Sequence, residues 1–324
     1  MITPIRPAPI PITAECFPTP GLVLRTNDPT AQQHVREFAH RHADAAISLH
    51  RMLVKFLRTA RGNRARAAVF ITAFDAAEDW RFRVAAASSH QTGRYGADHT
   101  ERFRTPITDD NTNLFRIGEH ARFREGATWD PDTRTYVGGA ETPASRTMRQ
   151  IGDLAALRFA KTSGADVLCN PVTLPDGAAA RGVRLLRGTP ARHAATELVV
   201  RIAARGGDTS RVITDGDLLY TASAPEVDRR KIFHGAMALL AGNHIAPSAA
   251  LTAWLRAAYL LYQAPRRKRG SDATIRTFLV AAGSILLRRP PILLHDTDLR
   301  AYVQPQHQFV TELRAGQDGT SARS

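Results

Sequence analysis

Four cationic side chains in a row, Arg266, Arg267, Lys268 and Arg269, run directly into Gly270, Ser271 and an apolar helical repeat. Residues of these types at this spacing can hold phosphate. A guanidinium grips two phosphate oxygens at once. The free N–H groups of a helix's first turn, with the helix dipole, bind an anion. Ser271 is placed to serve as the N-cap of a helix carrying Ile275, Phe278, Leu279, Ala282 and Ile285. Arg269 would then stand two residues before the cap, and Gly270 would let the backbone approach a diphosphate closely. The competing readings are a basic loop between two helices, which these residues taken alone favour, and a nucleic-acid patch.

Other stretches offer chemistry and fall short of it. Arg187-Gly188-Thr189 follows an apolar strand, as the first arginine of ADP-ribosyltransferases does. Such an enzyme also needs a Ser-x-Ser-like strand, which Thr221-Ala222-Ser223 matches thinly, and a Glu-x-Glu loop, which nothing matches because Glu312 stands alone. A strand–cap–helix junction is the better reading. The run from His234 to His244 invites comparison with the Fic motif, but His234 stands eight positions before Gly242 and none of the residues between is acidic. Adenylyl transfer of that kind needs the histidine as base and the carboxylate for a metal. The run therefore reads as a helix with Gly242 as its C-cap. His34, His40, His42 and His50 have no carboxylate or cysteine set to complete a metal site, so no metal is expected.

The composition sets bounds. The 324 residues allow one large domain or two ordinary ones, and 43% hydrophobic content is enough for a core. The formal charge of +14 is carried almost wholly by arginine, since the only lysines are Lys55, Lys161, Lys231 and Lys268. A balance this basic favours anionic partners. The arginines are nevertheless scattered, and no helix-turn-helix, zinc-finger or RNA-binding pattern stands out, which argues against nucleic acid. Cys16 and Cys169 are far apart and imply a reducing environment. No run approaches the ~18 apolar residues of a membrane helix, so no transmembrane segment is expected. Ile2 stands where N-myristoylation needs glycine.

The elements that must position the basic stretch are mostly helical. Residues 1–27 hold six prolines and read as an extended or disordered leader, with an uncleaved secretion signal as the alternative. Asp28 and Pro29 then open a long amphipathic helix, through Val35, His42, Leu49 and Phe56, that Gly62 ends. Residues 66–74 and 80–87 look like paired strands joined by a turn at 75–79, and residues 88–140 like a polar, irregular insert. Thr142-Pro143 opens another helix. Thr189 should cap and Pro190 begin the next, Asp215-Gly216 signals a hairpin, and Ser223 with Glu226 forms a capping box. Helices follow at 248–263, 271–287 and 298–313, the last broken at Pro305. The expected fold class is mainly α (α+β), with a small β-hairpin portion, the insert near 88–140, and one large domain over 28–324.

Residues from about 250 onward carry an ordered set of features. A helix with Trp254 and small residues precedes Arg269-Gly270-Ser271 and an Ala-rich helix. Pro290-Pro291, then Asp298-Leu299 with Ala301, then an aromatic and acidic terminal helix with Phe309, Val310 and Glu312 complete it. This order resembles the C-terminal part of the AvrB family of plant-pathogen type III effectors, a branch of the Fido (Fic/Doc/AvrB) fold. The resemblance implies a Fido-like helical core with a nucleotide or nucleotide-sugar donor in its cleft. It further implies transfer of a group such as a deoxysugar to a hydroxyl of a host protein, and secretion into the host cell instead of a cytoplasmic life. By the same resemblance Arg269, Gly270 and Ser271 would bind the nucleotide, and Asp298 would be the catalytic base or orient the ligand. His295 and Asp296 are weaker candidates beside it. The alternatives are a host-protein-binding effector with a decayed cleft, an ADP-ribosyltransferase using Arg187, and a nucleic-acid binder using residues 266–269.

Overall fold

The structure is a computed structural model that describes residues 11–92 and 97–321. Asp28 caps helix α1 (Pro29–Arg36) through Oδ1, which accepts from the Thr30 N–H at 2.9 Å. A break at Glu37 separates α1 from α2 (Phe38–Leu57), so the expected long helix is two. Of the expected apolar stripe, His42, Ala45, Leu49 and Leu53 are buried, with Ala46 beside them, whereas Phe56 is 43% exposed. Gly62, expected as a terminator, instead opens α3 (Gly62–Thr92).

Helix α3 replaces the strand pair expected at 66–87. Phe70, Ala73, Phe74 and Ala77 are buried at helical spacing, and no glycine or proline interrupts residues 63–92. The β-branched residues Val69, Ile71 and Thr72 suggested strand, and packing on one apolar face overrode that preference. The leader also differs from expectation over its described part. Two short 3₁₀ turns, Ala14–Cys16 and Gly21–Val23, bury Cys16 and Phe17 in the main core, and the Leu24 carbonyl accepts from the Ala144 N–H. Residues 1–10 lie outside the described residues.

The region read as an insert builds structure. After α4 (Ala97–Glu101) comes strand β1 (Leu114–Ile117), then a two-stranded hairpin of β2 (Thr128–Asp130) and β3 (Thr135–Val137). Helix α5 (Pro143–Ala160) begins at a capping box formed by Thr142 and Ser145. Strands β4 (Val167–Thr173) and β5 (Ala179–Leu186), helix α6 (Gly188–Ala203) and strand β6 (Leu219–Ala222) follow. One antiparallel sheet has the order β1-β6-β5-β4. Side chains alternate across it. Ile117 and Leu185 pack with Met148, Ile151 and Phe159 of α5, while Leu186, Tyr220 and Ala222 pack with Ala191, Ala194 and Ala195 of α6.

Three local expectations shift here. The N-cap of α6 is Arg187, two residues ahead of Thr189, because Gly188 turns at φ +55° directly after β5. Gly216 makes a turn at φ +84°, but β6 pairs with β1 and β5 and not with the residues before that turn. Helix α7 (Glu226–Ala241) is not capped by Ser223: its N-cap is Pro225, and the Glu226 N–H donates to Asp109 Oδ1 at 2.8 Å from a distant segment.

The centre of the molecule is α8 (Pro247–Gln263) and α9 (Ser271–Leu286), both buried along most of their length. Trp254 Nε1 of α8 donates to the Leu279 carbonyl of α9 at 2.9 Å. Gly283 keeps that contact, since a Cβ there would lie 2.6 Å from Pro291 and 2.7 Å from Trp254 Nε1. Helices α10 (Thr297–Val303) and α11 (Gln306–Ser321) are divided at Gln304-Pro305, where the break was expected. Buried amides pin α10 to the sheet: Asn170 Nδ2 of β4 donates to the Tyr302 carbonyl at 3.0 Å and to Gln263 Oε1 at 3.1 Å. One continuous apolar core runs from Cys16 to Leu313. The chain is mainly α with a small antiparallel sheet. No helix among the described residues is long and apolar enough to cross a membrane.

Candidate functional site

The four-residue basic block divides in two. Arg266 pairs with Asp75 at 2.7 Å, and Arg267 pairs with the buried Glu78 at 2.8 Å, both on α3. Backbone bonds fix the same turn, with Ile107 N–H donating to the Arg266 carbonyl and Lys268 N–H to that of Thr105. These two arginines are anchors. Lys268 and Arg269 continue past them into a cavity of about 330 Å³.

Gly270, at φ +78°, swings the chain from that turn into α9 and is its N-cap. It offers no side chain to cap with, so the first-turn N–H groups are not covered in the way expected of Ser271. Ser271 is the first helical residue, and its hydroxyl donates to the Arg267 carbonyl at 3.1 Å. The freedom of Gly270 also has another cause than the expected ligand approach. A Cβ there would lie 2.7 Å from the Phe103 ring and 2.8 Å from the Arg81 stem, so packing of α3 and the segment after α4 requires the glycine.

One wall of the cavity is cationic. Arg102, Lys268 and Arg269 line it, and Arg81 lies behind. Arg102 has neither an ion pair nor a hydrogen bond among the described residues, and burial with the Arg269 charge pushes its pKa down to about 10. Lys268 Nζ donates to the carbonyls of Asn111 and Thr112, at 2.9 and 3.0 Å. Burial, with Arg201, Arg102 and Arg205 around it, pushes Lys268 down to about 8. His99 is lowered by burial and by Arg269, Arg102 and Arg81. A neutral His99 can therefore accept at Nε2 from the Arg269 guanidinium, 3.1 Å away. Burial is the main cause of these depressions and the neighbouring cations add to it, so a bound anion would raise each of these pKa values.

Asp272, Asp298 and Tyr302 also line the cavity. Behind them lies Arg276, fully buried, whose Nε donates to both Asp272 oxygens at 2.8 and 2.9 Å. Its other nitrogens donate to the Leu294 and His295 carbonyls, and one lies 3.8 Å from Asp298 Oδ1. Tyr262 donates to Asp272 at 3.0 Å. Asp272 thus takes up most of the Arg276 charge. Burial and the Asp272 carboxylate push the pKa of Asp298 up to about 7 against the pull of Arg276. A carboxyl poised near neutrality and opening onto a cavity can take or give a proton at working pH.

The four residues singled out from the sequence, Arg269, Gly270, Ser271 and Asp298, therefore line one cavity. His295 and Asp296 do not; Asp296 is buried against Arg300 at 2.8 Å. Arg187 also lies outside, paired with Asp166 at 3.2 Å, although Thr221 and Ser223 line the cavity. Without Arg187 beside them, the ADP-ribosyltransferase arrangement is not assembled. His234 is on α7 and does not line the cavity either. Sequence reasoning missed Arg102, Asp272 and Arg276. The i,i+4 pair of Asp272 and Arg276 directly after the turn was a usable signal, whereas nothing local marks Arg102. Neither a protein-family model nor a curated protein matches this chain in sequence.

Proposed function

We propose that this cleft binds a nucleotide or nucleotide-sugar by its diphosphate and transfers a group from it to an acceptor hydroxyl. One observation carries the reading: a cationic cluster at a helix N-terminus and a near-neutral carboxyl line a single cavity. Its volume is at the lower end of the range for small-molecule sites, which suits a nucleoside diphosphate. Lys268, Arg269, Arg102 and the first turn of α9 would hold the diphosphate. In the transfer step the bond from the donor carbon to the diphosphate oxygen breaks, the acceptor oxygen bonds to that carbon, and the hydroxyl proton passes to Asp298. Arg269 neutralises the charge that grows on the departing diphosphate. The likeness of residues from about 250 onward to AvrB-type effectors supports a deoxysugar as the group and a host protein as the acceptor.

A thermal-shift series tests the reading with ADP, ATP, UDP-sugars, dTDP-rhamnose and NAD on the native chain and on Arg269→Ala. A ligand that binds the folded state must raise Tm. The expected result is a shift with a nucleoside diphosphate or its sugar that is lost in the variant. No shift with any of them overturns the reading and leaves a partner-binding protein.

A further inference from the structure

A second cavity, of about 590 Å³, shares no residue with the cleft. Its floor is apolar, with Phe70 and Leu251 among the lining residues. Its rim holds four arginines from three places in the chain: Arg66 on α3, Arg288 and Arg289 after α9, and Arg314 on α11. No aspartate or glutamate lines it among the described residues. Arg314 donates to Thr252 at 2.7 Å and Arg289 to the Gln317 carbonyl at 3.4 Å, which hold two of the four in place. Arg66 and Arg288 have no ion pair or hydrogen bond among the described residues. Arg288 sits at φ +56°, a left-handed backbone that costs an L-residue free energy.

The mouth of the same cavity carries Ile245, which is 92% exposed. It stands in the turn between α7 and α8, where a polar residue would fit as well. An aliphatic tip beside a carboxylate-free arginine cluster matches two parts of one partner, since the arginines suit phosphate and the isoleucine suits an acyl boundary. We propose that this cavity receives the phosphorylated headgroup of an anionic lipid, with Ile245 entering the interfacial layer beside it. The inference is independent of the nucleotide reading, because the two sites have no residue in common.

Co-sedimentation of the full chain with vesicles tests it. The vesicles are phosphatidylcholine alone, or phosphatidylcholine with a few per cent of phosphatidylinositol bisphosphate, at physiological salt. The informative variant is Arg66→Gln with Arg288→Gln, which breaks no bond of the described structure. A charge-matched control changes Arg192 and Arg211 to Gln, neither of which lines the cavity. Binding should require the bisphosphate lipid and weaken about tenfold or more in the first variant, and far less in the control. Ile245→Gln should weaken vesicle binding while leaving the Tm shift given by soluble inositol trisphosphate intact. Three outcomes overturn the proposal. Absence of vesicle binding is one. Equal loss in the two arginine variants is another, since it would mean general charge attraction. Vesicle binding unchanged in Ile245→Gln is the third, since it would leave the apolar tip with no part in membrane contact.

Discussion

Replacing Asp298 with Asn should change how stability depends on pH. The folded state holds this carboxyl at about 7, well above its ordinary value of 3.8. Between those values the folded chain keeps a proton that the unfolded chain has lost. The stability contribution of Asp298 is therefore fully present below about pH 4 and is lost as pH rises through about 7. The gap is about three pH units, and each is worth about 1.4 kcal/mol. The side chain is 18% exposed, and water reaching it reduces the full value to about 2–3 kcal/mol. Asn carries no titrating proton, so it removes this term and leaves every other group in place. Urea unfolding of both proteins at intervals from pH 4.5 to 7.5 measures the difference. The native chain should lose about 2–3 kcal/mol relative to Asp298→Asn across that range. Parallel curves would refute the claim that burial and Asp272 hold the Asp298 carboxyl near neutrality. It would also remove the physical basis for a general base there.

Three further outcomes follow from the same geometry. Arg276→Met should cost about 3–5 kcal/mol in chemical denaturation, because Asp272 would be left as an unpaired, largely buried charge; adding Asp272→Asn should recover part of the loss. Gly270→Ala should cost about 3 kcal/mol, from a left-handed backbone together with the collision against Phe103 and Arg81, read as a lower urea midpoint at unchanged slope. The Lys268 ammonium, held at about 8 by burial and neighbouring guanidinium groups, should be drawn back up by a bound diphosphate. Binding should then take up protons and weaken as pH rises through about 8, so titration calorimetry giving a flat affinity from pH 7 to 9 would count against Lys268 facing the ligand.

Helix positions were legible where start and stop signals were chemical. Asp28-Pro29, Thr142-Pro143, and the interruption at Pro305 all fell where expected, because caps and proline act through bonds that a few neighbouring residues decide. Reading failed where distant contacts decide. Residues 69–72 hold three β-branched side chains, but the stretch 66–87 is rich in alanine and buries Phe70, Phe74 and Ala77 against α7 and α9 as one helical face. Strand β1 is four residues in a polar region and exists because β6 offers it a free edge. The cap of α7 comes from Asp109, more than a hundred residues earlier in the chain. The site divides the same way. Arg269, Gly270 and Ser271 are contiguous and could be read, whereas the flanking groups, Arg102 above all, arrive from segments whose positions only the tertiary fold sets.

The basic block shows why a charge run is a poor guide until its partners are known. Arg266 and Arg267 are tied to Asp75 and Glu78, and burial raises the Glu78 pKa against the pull of those same arginines. Two buried or half-buried pairs of this kind contribute little net stability, but they fix the turn. With the turn fixed, Lys268 and Arg269 cannot retreat from Arg102 and Arg81 by a backbone shift. The repulsion among those four is thus built into the folded state and is not dissipated by motion of the loop. Burial lowers the pKa of Arg81, Arg102 and Lys268 most, and the neighbouring cations lower it further. An anion entering the cleft would meet a half-buried Arg102 and a half-buried Lys268 on a turn that is already fixed, which lowers the ordering cost of binding. In the proposed reading, the first pair of basic residues fixes the turn and leaves the second pair to meet a polyanion, a division of labour that would separate a binding turn from a solvated basic loop.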